Sequence, residues 1–161
     1  MKSIIISQFV ILLLVTSLFN PFSAKIMALI YADKYDINTR VFYKQIKAES
    51  FFRCFVQSPK NAIGLGQVLY STAVFMQPSI ERWHLYIPWK NLNVSAKYMQ
   101  YLKGRFKDNY SLALAAYNWG ETNVYNLLKS KDITIDTNKN YTYLFVNVRE
   151  THAYLLKILG K

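Results

Sequence analysis

The 161-residue chain has few of the residues that most often carry metals, disulfides or acid–base chemistry. It has one cysteine, Cys54, and two histidines, His84 and His152. A single cysteine excludes a disulfide scaffold, and one thiol with two imidazoles cannot complete a tetrahedral zinc site without carboxylate ligands. We therefore expect neither a bound metal nor a cofactor. Asp and Glu number 9 against 20 Lys and Arg, so any general acid must come from a short list of carboxylates.

Apolar side chains, by contrast, are plentiful. They make up 52% of the sequence, and aromatic residues make up 16%. A chain of this composition can bury enough apolar surface to fold, which excludes intrinsic disorder. Its length suits one domain, since domains typically have about 100–150 residues. We expect a monomer.

The first apolar run is typical of a secretory signal peptide. Residues 4–19 include twelve apolar side chains and no charge, and Asn20 and Pro21 follow as helix breakers. We expect a signal peptide over residues 1–24, with cleavage after Ala24 or as late as residue 28. The alternative is an uncleaved anchor in the inner membrane through residues 4–19, because the 22 residues between Lys2 and Lys25 carry no charge and are long enough to span a bilayer.

The remaining residues 25–161 are expected to form one exported domain that works in the periplasm or the cell wall. The formal net charge is +11, and the basic residues are scattered rather than gathered in one arm. Export and this scatter argue against nucleic acid as a partner. An anionic wall polymer or anionic lipid suits the charge better.

Hydrophobic periodicity predicts an all-α domain. Asn38 is a candidate N-cap, and behind it apolar residues recur at three- and four-residue steps up to Phe52. Similar stripes predict helices over residues 91–107 and 141–159, with a shorter one near 71–76. The stretch 111–119 is apolar on nearly all sides and ends at Gly120, which predicts a central helix. The weak β candidate is residues 133–135.

Glu49 lies on the apolar stripe of the first of these helices rather than on its polar face. Partial burial disfavours a charged carboxylate, so we expect a raised pKa for Glu49. A general acid near neutral pH requires such a carboxyl group. The alternative interpretation is a helix-end glutamate that accepts a hydrogen bond at the edge of the core.

Three segments in order strengthen the catalytic interpretation. They are Glu49-Ser50, then Gly64-Leu65-Gly66-Gln67 before Thr72-Ala73, then Ala115-Ala116-Tyr117-Asn118-Trp119-Gly120. This order and spacing resemble the soluble-type lytic transglycosylases, over roughly residues 32–155. The resemblance implies a compact lysozyme-like helical domain of the goose-type lysozyme fold. It also implies peptidoglycan glycan strands as the substrate.

The resemblance assigns Glu49 as the sole catalytic acid. Glu49 would protonate the glycosidic oxygen between N-acetylmuramic acid and N-acetylglucosamine. It would then act as the base on the C6 hydroxyl, which closes a 1,6-anhydromuramoyl ring without a second carboxylate. Glycosidases that use the substrate's own groups are known exceptions to the two-carboxylate scheme. Ser50 would orient the acid or contact the substrate.

The other two segments are implied to line the sugar cleft. Substrate-binding roles are expected for Gly64, Leu65, Gly66, Gln67, Tyr117 and Asn118. Glycine allows the backbone to approach a ligand closely, and the Gln67 amide can bond an acetamido group. The Tyr117 hydroxyl would lie near the acid.

The sequence departs from the usual pattern of this family at five positions. Gly66 replaces methionine, Tyr70 replaces proline and Ser95 replaces glycine. Trp119 replaces alanine, and Thr137 replaces glutamate. None of these replacements removes the expected acid.

Several alternatives stay open at the level of the sequence. Trp83, Tyr86 and Trp89 can stack on sugar rings or pack their own loop onto the domain. The enzyme can be a hydrolytic goose-type lysozyme instead of a transglycosylase. A third alternative is a non-catalytic peptidoglycan-binding subunit of an envelope-spanning secretion, conjugation or pilus apparatus. Local wall remodelling for such an apparatus is also a candidate role for the enzyme.

Overall fold

The computed structural model describes residues 16–160, and the fold from Pro21 onward is helical. Seven α-helices follow in order: α1 (Pro21–Lys34), α2 (Thr39–Ser50), α3 (Tyr70–Met76), α4 (Pro88–Arg105), α5 (Tyr110–Trp119), α6 (Glu121–Ser130) and α7 (Arg149–Leu159). Short 3₁₀ helices, Arg82–Tyr86 and Thr142–Phe145, precede α4 and α7. Residues 16–160 contain no β-strand, and the candidate at 133–135 is a loop. The all-α prediction is therefore confirmed.

Helix α2 forms as the sequence predicts. The Asn38 side chain accepts a hydrogen bond from the Val41 N–H, which satisfies one of the unpaired donors of the first turn. Phe42 and Ile46 are fully buried on the inner face. The helix ends where Phe51 adopts a left-handed conformation, with φ of 53°. This end places Glu49 in the last turn.

Helix α5 is central, as predicted from its apolar sequence. Residues 111–116 are all buried, and the helix packs against α4, α6 and α7. Asn109 caps its start by accepting from the Leu112 N–H. Gly120, with φ of 99°, separates α5 from α6. The sequence stripes did not predict α6.

Two predicted helix boundaries are wrong. Helix α4 begins at Pro88 rather than at residue 91, because proline suits the first turn, where its missing N–H costs nothing. The helix predicted over 141–159 is two elements, Thr142–Phe145 and α7, with a break between them. The stripe of apolar residues continues across that break because both elements face the same core.

Helix α1 belongs to the folded core. Asn20 caps it by accepting from the Ser23 N–H at 2.9 Å. Ala24, Ala28 and Ala32 recur every four residues and are fully buried. Both expected cleavage points thus lie inside α1, and residues 1–15 of the expected signal peptide lie outside the described part of the chain. Signal cleavage stays a prediction. Within residues 16–160, no helix combines the length and hydropathy needed to cross a bilayer.

Candidate active site

Glu49 lies at a cleft made of two adjoining hollows of about 470 and 520 Å³. Glu49 lines the smaller one, together with Ala48 and the loop 58–62. Tyr98 and Thr72 line the larger one. The hollows share Lys60, Gln67, Leu69, Tyr117, Asn118 and Glu150. The cleft is an open groove, which suits a polymer better than an enclosed small molecule.

The Glu49 carboxyl group is poised to carry a proton near neutral pH. Burial raises the pKa of Glu49 from 4.5 to about 7. The Tyr154 hydroxyl donates to Oε1 of Glu49 at 2.6 Å, which lowers this pKa, and the negative charge of Glu150 raises it. The raised pKa expected from the helix position is therefore confirmed, with burial as its main cause.

The glycine-containing loop 64–67 is held by the side chain of Asn91. The Asn91 Oδ1 accepts from the Gly66 N–H at 2.8 Å. Its Nδ2 donates to the Ile63 oxygen at 2.9 Å and to the Leu85 oxygen at 2.8 Å. Asn91 itself is fully buried. One amide thus joins α4 to the loop and fixes the loop beside α2.

Steric contacts explain why positions 64 and 66 of this loop are both glycine. Gly64 has φ of 74°, and a Cβ there would lie 2.2 Å from the Leu85 oxygen. A Cβ on Gly66 would lie 2.0 Å from the Ser95 Oγ. Gly66 and Ser95 are two of the departures from the family pattern. Their contact explains both together, because the Ser95 side chain occupies the space that a side chain at position 66 would need.

Ser50 and Leu65 are buried and line neither hollow. The Ser50 Oγ donates to the Leu65 oxygen at 2.7 Å. Ser50 therefore joins the end of α2 to the loop. Leu65 packs in the core under the cleft.

Gln67 and Tyr117 do line the cleft, as predicted. The Gln67 Nε2 donates to the Gly64 oxygen at 3.0 Å. The Tyr117 hydroxyl donates to the Gly66 oxygen at 2.8 Å. Burial, followed by the nearby Glu49, raises the pKa of Tyr117 well above its ordinary value. Tyr117 therefore stays protonated and acts as a donor at neutral pH.

Asn118 and Trp119 form the next part of the cleft. The Asn118 Oδ1 accepts from the Thr151 Oγ1 at 2.8 Å, which connects α5 to α7. The Trp119 ring lines the larger hollow and packs edge-on against Phe145, with ring centroids 6.3 Å apart. Trp119 therefore offers an aromatic face to a ligand at a position where the family usually has alanine.

Sequence reasoning missed three residues of the site: Lys60, Glu150 and Tyr154. Lys60 and Glu150 form an ion pair at 3.3 Å across the cleft. Glu150 and Tyr154 are four residues apart on α7, so their side chains share one face of that helix. No short motif contains these residues. The hydrophobic periodicity of α7 does not distinguish its functional polar residues from its other polar residues.

Other residues singled out from the sequence lie elsewhere. Trp83, Tyr86 and Trp89 line neither hollow of the cleft. Thr137 lines a separate shallow hollow beside Asn109 and Lys139. The His84 Nδ1 accepts from the Glu81 N–H.

Residues 26–140 match the family model of the transglycosylase SLT domain. The chain belongs to this family. The match begins within α1 and continues into the loop before the second 3₁₀ helix, so it includes the whole of the cleft except α7.

Solved structures of SLT-domain proteins agree with the fold. The 70-kDa soluble lytic transglycosylase of Escherichia coli, alone and in complex with bulgecin A, is similar with 27% identity and a TM-score of 0.71. An inactive variant of the lytic transglycosylase Slt of Pseudomonas aeruginosa is similar with 24% identity and a TM-score of 0.69. Each alignment covers 83% of this chain and 22% of the larger protein. The likeness confirms the all-α, lysozyme-like fold.

Proposed function

We propose that the chain is a peptidoglycan lytic transglycosylase with Glu49 as its general acid and base. The observation that carries this proposal is a desolvated glutamate in an open cleft, with a pKa of about 7 and a hydrogen bond from Tyr154. Membership of the SLT-domain family and similarity to two lytic transglycosylases support the same conclusion. The substrate would be the β-1,4 bond between N-acetylmuramic acid and N-acetylglucosamine.

In the first step, protonated Glu49 gives its proton to the glycosidic oxygen. The bond between that oxygen and C1 of the muramoyl residue breaks, and the electron pair leaves with the N-acetylglucosamine. Positive charge then develops on C1 and the ring oxygen. The raised pKa keeps a large fraction of Glu49 protonated near pH 7, which this step requires.

In the second step, the Glu49 carboxylate takes the proton of the C6 hydroxyl. The C6 oxygen forms a bond to C1, which gives the 1,6-anhydromuramoyl end and returns Glu49 to its protonated state. Tyr154 stabilises the carboxylate between the two steps by donating to Oε1. The product mixture therefore contains anhydro ends and no added water.

The central test replaces the titrating group and keeps the shape. We expect Glu49→Gln to lower the rate of peptidoglycan digestion by at least about 100-fold, the lower end of what general acid catalysis supplies. The parent protein should release muropeptides with 1,6-anhydro ends, identified by mass spectrometry. Parental activity in Glu49→Gln would overturn the assignment of the acid, and a wholly inactive parent would favour a non-catalytic binding subunit.

A pH titration of stability shows whether the Glu49→Gln variant is folded. Because the folded-state pKa is raised, Glu49 contributes stability below about pH 4.5 that is lost as the pH rises through about 7. Glutamine does not ionise, so the variant does not lose this stability as the pH rises. Its free energy of unfolding should exceed that of the parent at pH 8 by up to about 3 kcal/mol, measured by urea unfolding.

Hydrolysis is the second candidate, and Glu150 favours it. Glu150 places a second carboxylate on the same cleft, and an inverting glycosidase requires a second carboxylate as its general base. Its ion pair with Lys60 and its exposed side chain argue for an electrostatic role instead. Reducing ends rather than anhydro ends among the products would establish hydrolysis.

Export and a local role complete the proposal. Peptidoglycan lies outside the cytoplasmic membrane, so the substrate requires export to the periplasm or cell wall. Wall remodelling for an envelope-spanning secretion, conjugation or pilus apparatus is the proposed setting. Deleting the gene should impair assembly of that apparatus, and supplying the Glu49→Gln variant should not restore it. Full restoration by the variant would place the role in binding rather than in cleavage.

A further inference from the structure

A group of exposed and partly buried aromatic side chains lies away from the cleft. We call it the aromatic surface, and it consists of Phe19, Phe55, Trp83, Tyr86 and Trp89. Phe55 is 71% exposed and Trp83 is 56% exposed. Four of these rings, all except Trp89, surround an open, almost wholly apolar hollow of about 490 Å³ together with Ile87. Exposed apolar surface of this kind marks interaction sites in soluble domains.

The aromatic rings hold one another in place. Phe19 stacks on Phe55 with centroids 5.6 Å apart, and Phe55 stacks on Tyr86 at 6.5 Å. Trp89 meets Phe19 edge-on at 6.2 Å. The Cys54 thiol donates to the Phe19 oxygen, which fixes the start of the described fold to this surface. The surface is therefore a built feature and not a set of separate mobile side chains.

The cleft does not explain the aromatic surface. Its hollow shares no lining residue with either hollow of the cleft. The Tyr86 hydroxyl is already bonded to Gln57 at 2.7 Å, and the Trp83 Nε1 to Glu81 at 2.9 Å. The polar ends of these rings are thus satisfied within the protein, and their apolar faces are left outside.

The position of the surface along the chain indicates its partner. Phe19 is the last residue of the apolar run 4–19, which lies within the uncharged stretch 3–24, so the aromatic surface lies where that run joins the domain. The next residues, Asn20 and Pro21, begin α1, and the buried Ala24 makes α1 part of the core. A bilayer that holds the apolar run would therefore lie directly against the surface.

The charges beside the surface suit an anionic bilayer. The Lys90 Nζ lies 5.5 Å from the centre of the Trp83 ring. Arg53 and Arg82 are exposed neighbours of Phe55 and Trp83, and Glu81 is the acidic residue next to Trp83. Tryptophan and tyrosine prefer the membrane–water interface, and lysine and arginine near it are attracted to anionic headgroups.

We propose that residues 4–19 are retained in an anionic bilayer and that the aromatic surface rests in its headgroup region. The domain is then held on the membrane in one orientation rather than hanging from a flexible tether. This proposal rests on the proposed export but not on the chemistry of Glu49. Its failure therefore leaves the transglycosylase assignment intact.

Tryptophan fluorescence can test the orientation, because the chain has three tryptophans. The full chain is reconstituted in phosphatidylglycerol–phosphatidylcholine vesicles whose lipids carry bromine near the headgroups. Trp119→Phe leaves the two tryptophans of the aromatic surface, and the double variant Trp83→Phe, Trp89→Phe leaves only Trp119 in the cleft. We expect quenching of at least half the signal in the first protein and little in the second. Equal quenching, or none, overturns the proposal.

A second pair of variants separates docking from simple anchoring. In the Trp119→Phe background, Phe55→Ser should reduce the quenching at least twofold. Phe75→Ser is the matched control, since Phe75 is 64% exposed and lies outside the aromatic surface, and it should leave the quenching unchanged. A cooperative thermal unfolding transition like that of the parent would show that both variants fold. Quenching that does not change in Phe55→Ser would contradict a membrane-docking surface. A change in the fluorescence of Trp83 and Trp89 on adding glycan strands, but not on adding vesicles, would contradict it as well.

Discussion

The two walls of the cleft are built in different ways. The loop wall presents Gln67 and Leu69 to the cleft, and the buried residues 64–66 behind it are held by hydrogen bonds from Asn91. The helix wall is the side-chain face of α7 with Glu150, Thr151 and Tyr154. Glu49 lies between them, and its α2 helix is joined to the loop through Ser50.

Because the walls differ in this way, mutations in them should affect different properties of the protein. In the loop wall, the one buried Asn91 side chain bonds three backbone groups, so a change there should cost stability first. In the helix wall, Tyr154 and Glu150 act on the Glu49 carboxyl group from side chains, so a change there should move the proton affinity of the acid first. Mutations can test this division directly.

The largest expected effect is on the loop wall, through Asn91. Asn91→Leu removes the Asn91 hydrogen bonds to the Gly66 N–H and to the Leu85 and Ile63 oxygens, all in a buried region, and leaves the Ile63 oxygen with the Val68 N–H alone. We expect the free energy of unfolding to fall by at least about 3 kcal/mol, measured in urea. The control Asn126→Leu changes an exposed residue of α6 and should stay within about 0.5 kcal/mol of the parent. Similar values for both would mean that the loop does not depend on Asn91.

The contact between Gly66 and Ser95 gives the second prediction. Gly66→Ala should lower the free energy of unfolding by about 1–3 kcal/mol, because its Cβ would overlap the Ser95 side chain. Adding Ser95→Gly should recover more than half of that loss. Gly104→Ala is the control, since a Cβ there meets nothing within 4 Å, and it should be neutral or stabilising. Strictly additive losses would contradict the coupling between Gly66 and Ser95.

The sequence could predict the loop wall because its signals are local. A cap at Asn38, a stripe up to Phe52 and a glutamate on that stripe are visible within 15 residues of chain. Gly64 has a positive φ of 74°, a backbone requirement that a glycine in a loop sequence can indicate. The cap and the stripe led to α2 and to Glu49 as a candidate acid, whereas the side of the cleft that contains Gln67 was implied by the resemblance to the transglycosylase family.

The helix wall could not be predicted in the same way. Tyr154 is 105 residues from Glu49, and only the packing of α7 against α2 brings the two side chains together. Helix α1 was missed for another reason. Its alanines lack the strong apolar stripe of the other helices, and the uncharged run before it favoured a leader. Small residues that allow close helix packing leave a weak signal in hydropathy.

The third prediction concerns the helix wall and Tyr154. Tyr154→Phe removes the hydrogen bond that lowers the pKa of Glu49, so this pKa should rise. Glu49 then stays protonated to higher pH. The alkaline limb of the pH profile, where kcat/KM falls as Glu49 ionises, should move up by about one pH unit. Unfolding in urea should change less than in Asn91→Leu. Tyr125→Phe, at an exposed position, is the control and should leave the limb in place. An unmoved limb in Tyr154→Phe would show that Tyr154 does not tune the acid.

The smallest expected effect is that of Glu150. Its negative charge raises the pKa of Glu49, so Glu150→Gln should lower that pKa and move the alkaline limb down. We expect only a few tenths of a pH unit, because the Glu150 side chain is 72% exposed and pairs with Lys60. The shift should shrink further in 1 M salt, where charges are screened over about 3 Å. Glu121→Gln, whose partner is Arg105, is the control.

The same variant also separates the two candidate reactions. A transglycosylase needs no second carboxylate, so Glu150→Gln should keep most of its activity and still release anhydro ends. A hydrolase that uses Glu150 as its base would lose activity by at least about 100-fold without a matching shift of the limb. The helix wall would then contain a catalytic residue, and the division between a structural loop wall and a tuning helix wall would be wrong.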